Sequence, residues 1–216
     1  KKKARQREWV MEIAVNRKKI GIIGGSFDPI HNGHLKTAEF VYQQLELEKM
    51  IFIPAYIAPH KIGMEYAPAE HRYQMTLLAT QDNPHFCVSD IELKRKGVSY
   101  TYDTIKALHE YYGDEYDLYF IIGADSVAEL DTWTKVREIM DLCTFVAATR
   151  PGFAPEVQKV IEYFGELGRT KIKWLNTPEM DISSTDIRQR VQDNCSINGL
   201  VPATVEEYIH QKGLYR

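Results

Sequence analysis

An α/β fold is predicted here: a doubly wound, mostly parallel sheet in a single domain. Three observations predict it. Short, continuously apolar runs alternate with segments of helical spacing, the pattern of strands covered on both faces. The chain has 216 residues, 44% hydrophobic and 26% charged, enough to bury a core without disulfides or metals. The unusual residues, adjacent glycines and paired histidines among them, follow the apolar runs, and ligands bind such sheets outside the carboxyl ends of the strands.

The elements follow in order. Residues 20–23 are an apolar run ending at Gly24-Gly25 and predict the first strand. Leu35, Ala38, Val41, Tyr42 and Leu45 recur at helical spacing and predict a helix over 35–45. A second strand is predicted over 50–53, closed by Pro54. Residues 56–68, rich in Pro, Gly and polar side chains, predict a long loop. A helix over 69–80 turns Met75, Leu78 and Ala79 inward, and a short strand over 86–88 extends through 91–93. Residues 101–112 predict a helix with Asp103 near its start, and 118–122 a strand ending in Gly123. Short helices over 126–130 and 136–140 flank Trp133, and a strand over 144–148 ends at Arg150-Pro151-Gly152. A helix over 156–167, a strand over 172–175 and helices over 184–191 and 204–211 complete the chain.

Composition excludes several function classes. No apolar run approaches the roughly 18 residues that a membrane helix needs. A net charge of −3 argues against a broad nucleic-acid footprint. Cys87, Cys143 and Cys195 lie far apart with no CxxC pair, which indicates neither a zinc ribbon nor a disulfide framework. A reducing cytoplasm is the expected compartment. The charge is uneven: residues 1–19 hold eight basic and two acidic side chains, a net of +6, so the remaining 197 carry −9. No apolar stretch of signal-peptide type follows the basic residues, the first residue is Lys, and Met11 is an alternative start. Residues 1–18 are therefore expected to be a flexible basic extension, and 19–216 the domain. A short helix with Trp9, Val10, Ile13 and Ala14 on one face is the alternative for the extension.

The first strand runs into Gly24-Gly25-Ser26-Phe27-Asp28-Pro29-Ile30-His31-Asn32-Gly33-His34. The dinucleotide fingerprint GxGxxG is absent, as are the GxxxxGK[ST] phosphate loop and the hydrolase elbow GxSxG. What remains is HxGH at a strand-to-helix turn. Adjacent glycines let the backbone approach a ligand, and the helix start aims free amides at the same crevice. His31 and His34 are three apart, so they share one face of the first turn, with Gly33 leaving room between them. Two imidazoles there suit hydrogen bonding to phosphate oxygens.

This run resembles the signature of the nucleotidyltransferase superfamily that bears (H/T)xGH. Far downstream, Ile182-Ser183-Ser184-Thr185-Asp186-Ile187-Arg188 resembles the ISSTxIR motif of the same superfamily. It too is a helix start, where a hydroxyl and a guanidinium four apart can grip polyphosphate. Further segments resemble the nicotinate-nucleotide adenylyltransferase family in particular. They are Pro59-His60-Lys61, the run from Asp90 to Arg95 followed by Ser99-Tyr100-Thr101-Tyr102-Asp103-Thr104, Ile121-Ile122-Gly123-Ala124-Asp125 with Trp133, and Arg150-Pro151-Gly152. The resemblance spans about residues 18–216; Thr134 stands where an aromatic is frequent in the family, and 113–117 is slightly long.

The resemblance implies a Rossmann-like nucleotidyltransferase fold and adenylyl transfer from ATP to nicotinate mononucleotide, yielding deamido-NAD and pyrophosphate. It implies His31, His34, Lys61, Ser184 and Arg188 as the catalytic set. ATP would meet Gly24, Gly25, Ser26, Phe27, Gly33, Gly123, Asp125, Arg150, Ser183 and Thr185; the mononucleotide would meet Lys61, Thr101, Tyr102 and Trp133. Each has a plainer alternative: Lys61 as a solvated lysine, Asp125 and Thr101 as helix caps, Trp133 as a core residue. Mg²⁺ is expected with ATP, held by phosphates and water without protein ligands, Asp28 being an outside candidate. Expected partners are the two nucleotides, with no nucleic acid or membrane; a homo-oligomer is neither implied nor excluded. The rival readings are an adenylyltransferase for nicotinamide mononucleotide or phosphopantetheine, and a noncatalytic nucleotide sensor.

Overall fold

The computed structural model describes residues 17–149, 152–178 and 180–216. The expected extension up to residue 16, with Met11 and the Trp9 face, lies outside the described residues, as does Arg150.

Six strands form one parallel sheet: β1 (Lys18–Gly25), β2 (Lys49–Pro54), β3 (Phe86–Val88), β4 (Tyr116–Ile122), β5 (Thr144–Thr149) and β6 (Ile172–Asn176). Their spatial order is β3-β2-β1-β4-β5-β6. The order reverses at β1, so the carboxyl ends of β1 and β4 border a crevice. In that register Ile23 lies beside Ile121 and Gly24 beside Ile53. β1 takes in Lys18, whose ammonium pairs with Glu48, so the strand starts one residue before the expected domain boundary.

Alternation along each strand feeds two cores. Ile20 and Ile22 of β1, Ile51 and Ile53 of β2, and Phe145 of β5 point to one face. There they meet α4 (Thr101–Tyr112), α5 (Ala124–Ala128), α6 (Val136–Leu142) and α7 (Ala154–Phe164) through Ile105, Val127, Ile139 and Val157. Ile23, Phe52, Ile121 and Val146 point to the other face. That face is covered by α1 (Asn32–Leu45), α2 (Ala69–Thr80), α9 (Ser184–Gln192) and α10 (Ala203–Lys212) through Val41, Met75, Ile187 and Ile209. Period-2 apolar runs with no polar face are what such double cover demands. No helix among the described residues is long and apolar enough to cross a membrane.

Three elements differ from expectation. Residues 91–93 do not extend β3; they begin a one-turn helix, α3 (Ile91–Arg95). The Ser89 amide still bonds the Phe52 carbonyl at 2.9 Å, but its hydroxyl then accepts the Ile91 amide, which turns the chain out of the sheet. The helix expected over 156–167 is two, α7 and α8 (Glu166–Lys171), because Gly165 sits between them at φ +62. The third is the phase of α2. Its buried residues are Ala69, Arg72, Met75, Thr76 and Thr80, while Leu78 and Ala79 are only half-buried. The threonines fit inside because their hydroxyls donate to carbonyls one turn back, Thr76 to Arg72 and Thr80 to Thr76.

Candidate active site

The site is built on the turn between β1 and α1. His31 is the N-cap of α1, with extended backbone. Its Nδ1 accepts the His34 amide at 3.3 Å, and the Nδ1 of His34 accepts the His31 amide at 3.2 Å. This is a capping box in which both side chains are imidazoles. The rings stack with centroids 3.6 Å apart. Each Nδ1 is an acceptor, so each neutral ring carries its proton on Nε2. Burial pushes the His31 imidazole down to about 4, and burial, then His31, then Lys61 hold His34 well below the usual histidine range. Both rings are therefore neutral donors at neutral pH. Gly33 makes the stack possible: a Cβ there would lie 2.9 Å from two atoms of the His31 ring.

Phe27, expected at ATP, is 2% exposed and packs edge-on against the His34 ring at 5.1 Å, so its side chain backs the histidine pair. Ser26 is half-buried and its hydroxyl accepts a hydrogen bond from Lys61 Nζ at 3.2 Å. Lys61 ends a 3₁₀ turn, Pro59–Lys61, inside the long loop. Burial, then Arg188, lower its pKa; Asp28 opposes them and Arg72 adds to them. Lys61 thus stands in a cationic cluster, partnered and half-buried, and is not a freely solvated lysine.

The second helix start comes to the same turn. Ser183 caps α9 by accepting the Asp186 amide at 3.1 Å. The Ser184 hydroxyl donates to the Pro29 carbonyl at 2.9 Å, and Arg188 Nη1 donates to the Asp28 carbonyl at 2.8 Å. Thr185 accepts from Arg188 Nη2 at 3.3 Å. Ser184 was expected to grip phosphate; its proton is committed to Pro29, so it joins two chain segments 155 residues apart. Arg188 keeps further N–H groups, since a guanidinium has five.

Gly123 caps α5 and is exposed, as is Asp125 two residues on. Asp125 is therefore not the helix cap; it stands exposed just past the end of β4. Gly24 and Gly25 end β1, the first exposed and the second half-buried. Thr101 opens α4 without a side-chain cap bond, so the helix-cap alternative fails for it too. Tyr102 is half-buried, with the Lys135 ammonium 4.4 Å above its ring. Trp133 is half-buried and packs edge-on against Phe120 and Phe145, so core contacts hold it while part of its surface stays open.

Three residues were not anticipated, Arg72, Tyr215 and Glu92, and a fourth, Asp28, has another role than expected. Arg72 is 2% exposed and donates to the carbonyls of Ser26, Ala55, Tyr56 and Ala67 at 2.7–3.0 Å. It clamps the carboxyl ends of β1 and β2. The signal was available: Arg72 lies three residues from both Ala69 and Met75, on the inward face of a helix. Asp28, the outside candidate for a metal, is also 2% exposed, and its Oδ1 accepts from the Tyr215 hydroxyl at 2.5 Å and the Ala67 amide at 3.3 Å. Glu92, buried in α3, accepts from the Thr104 hydroxyl. Glu92 lies in the Asp90–Arg95 run that resembles the family, and Tyr215 in a C-terminal stretch that does too, but neither segment indicated a buried partner.

The chain matches the model of the cytidylyltransferase-like family over residues 22–190. It is 47% identical over 209 residues to a Moorella thermoacetica protein named "probable nicotinate-nucleotide adenylyltransferase", covering 95% of each chain. A Thermoanaerobacter protein of the same name is 46% identical over 203 residues, covering 92% of this chain and 94% of that one.

The chain belongs to the nicotinate-nucleotide adenylyltransferase family.

Among solved structures, the nicotinic acid mononucleotide adenylyltransferase of Plasmodium falciparum complexed with NaAD shares the fold. Its TM-score is 0.76 at 21% identity, with 92% of this chain and 98% of that chain covered. As a member of the adenylyltransferase family, the chain needs dense phosphate donors at one point. Two helix starts, two neutral imidazoles and two cations meet there. Among the described residues no group of three or more His, Cys, Asp or Glu is placed to hold a metal ion. The donor set suits phosphate oxygens and does not suit a divalent cation, and Asp28 is buried and partnered.

Proposed function

We propose that the chain transfers the adenylyl group of ATP to nicotinate mononucleotide, giving deamido-NAD and pyrophosphate, as the names of its relatives say of them. The observation that carries this reading is the junction of the two helix starts, Ser184 on Pro29 and Arg188 on Asp28, beside the stacked histidines. It converges N–H donors where two polyanions must meet.

The chemistry needs no general base. A phosphate monoester has its second pKa near 6 and is already ionised at neutral pH. One of its oxygens bonds to the α-phosphorus of ATP; the bond to the bridging oxygen breaks, and the electron pair leaves with pyrophosphate. The protein's work is in-line positioning and neutralisation of charge. His31 and His34 present Nε2–H, Lys61 and Arg188 present positive charge, and the amides of Gly25, Ser26 and Ser184 complete the cradle. Gly123 and Asp125 serve the ribose, and Thr101, Tyr102 and Trp133 the acceptor. Phe27, Ser183 and Thr185 act by support rather than by contact. Mg²⁺ bound to ATP would supply neutralisation of phosphate charge, and no residue of this chain is assigned to hold it. The 56–68 loop, with Ile62 and Met64 more than 60% exposed, closes over the nucleotides as a lid in a reducing cytoplasm.

The test is direct. Purified protein is assayed with ATP and either nicotinate mononucleotide, nicotinamide mononucleotide or phosphopantetheine, with dinucleotide and pyrophosphate quantified. The acid should be the preferred acceptor, and His34→Ala should lose at least about a hundredfold in kcat. Preference for another acceptor overturns the assignment; ATP binding without pyrophosphate release makes the chain a sensor.

A further inference from the structure

Glu92 is a buried carboxylate that the reaction does not use. It sits on α3, only five residues long, and is 7% exposed. A helix of one turn does not stabilise itself, and Glu is rarely buried without a partner. Its partners lie elsewhere. The Thr104 hydroxyl donates to Glu92 Oε1 at 2.6 Å and accepts from Arg95 Nη2 at 2.9 Å. The Ser99 hydroxyl faces the same carboxylate. Ser99 in turn accepts the Tyr56 amide at 2.9 Å and gives its own amide to the Ile57 carbonyl at 2.8 Å. Tyr56 passes its carbonyl to Arg72, which also holds the Ser26 carbonyl.

Thr104 thus ties Glu92 to the first turn of α4, and Ser99, on the other side of the carboxylate, is bonded to the Tyr56–Ile57 backbone that Arg72 joins to the turn after β1. Thr101 and Tyr102 ride on that turn of α4, three residues or fewer from Thr104. We propose that Glu92 is a positioning residue for the acceptor mononucleotide, fixing the start of α4 against the Tyr56–Ser99 junction. This rests on the adenylyl-transfer reading. Glu92 touches neither substrate; it sets the distance between the acceptor rim and the phosphate-donor turn. Loss of that restraint costs the acceptor its binding geometry and leaves the ATP side, anchored independently by Ser184 and Arg188, in place.

The test uses Glu92→Gln, Thr104→Val and Thr104→Ser in the full chain, with steady-state kinetics in both substrates. Glu92→Gln and Thr104→Val should each raise KM for nicotinate mononucleotide about tenfold while KM for ATP stays within about twofold. Thr104→Ser, which keeps the hydroxyl, should restore the wild-type KM. A rise in both KM values together, or no rise in either, overturns the proposal, and if Glu92→Gln fails to fold the Thr104 pair decides. Wild-type protein that makes no deamido-NAD overturns the reading beneath it instead, so the two failures are distinct.

Discussion

His31 and His34 cap each other: the Nδ1 of each accepts the other's backbone amide, and the rings stack at 3.6 Å. A proton on either Nδ1 would face an N–H and abolish that bond. The pair is therefore held neutral by geometry as well as by burial, and it offers two fixed Nε2–H donors outward. A site that must bind phosphates gains rigidity here at the expense of positive charge, which Lys61 and Arg188 supply.

Stability should fall with acid in a definite window. Burial holds the His31 imidazole at about 4 in the folded chain, against an ordinary value of 6.5. The unfolded chain binds more protons between those values, so the contribution is whole above pH 6.5, shrinks below it and is gone once pH falls through 4. About 3 kcal/mol is at stake. Urea midpoints measured from pH 4 to 7 should slope more steeply in wild type than in His31→Asn, which keeps a capping oxygen. Equal slopes would show that the neutral pair does not exist.

Gly33→Ala should separate activity from stability. Alanine inside a helix favours folding by about 1 kcal/mol over glycine. Its Cβ, however, would stand 2.9 Å from the His31 ring and push the stack apart. The expected result is a loss of about a hundredfold in kcat/KM with a melting temperature within a few degrees of wild type. Near-normal turnover would mean that the stack is dispensable.

Arg188→Ala should raise KM for ATP by about tenfold or more, with a smaller effect on the acceptor. It should also cost about 1 kcal/mol of stability, because the Asp28 carbonyl loses its donor. Kinetics and chemical unfolding on one preparation check both. An unchanged KM for ATP would make Arg188 a purely structural tie.

Tyr215→Phe removes one oxygen and leaves the buried Asp28 carboxylate with the Ala67 amide as its remaining donor. A loss of about 1–3 kcal/mol is expected. Burial, reinforced by Asp28, holds the Tyr215 hydroxyl far above the ordinary tyrosine range, so the bond persists across the working pH range. Calorimetry of the variant should show the lowered stability at every pH from 6 to 9; a wild-type melting temperature would overturn the role of this bond.

Much of the fold was legible because period carries it. α2 and α4 begin and end where spacing and composition place them, and β3 begins there. Errors fell where a local contact competes with period. Ser89 turned an apolar triplet into α3, Gly165 broke a continuous helical pattern at φ +62, and two threonines bonded to their own helix shifted the inward face of α2.

At the site, residue types were legible and partnerships were not. HxGH and SSTDIR named His31, His34, Ser184 and Arg188 because the two motifs together resemble one superfamily's signatures. That Ser184 spends its proton on Pro29, and that Phe27 backs His34, depends on segments meeting in space.

By itself the sequence determined the parallel sheet, since hydrophobic period acts over a few residues, and it carried the family through the resemblance of its motifs. Tertiary structure alone decided that two helix starts share one turn, that Tyr215 reaches Asp28 across 187 residues, and that Glu92 links acceptor rim to donor turn. The reason is physical: such bonds join groups with no common period, and they form only once the two cores have brought those groups within 3 Å of each other.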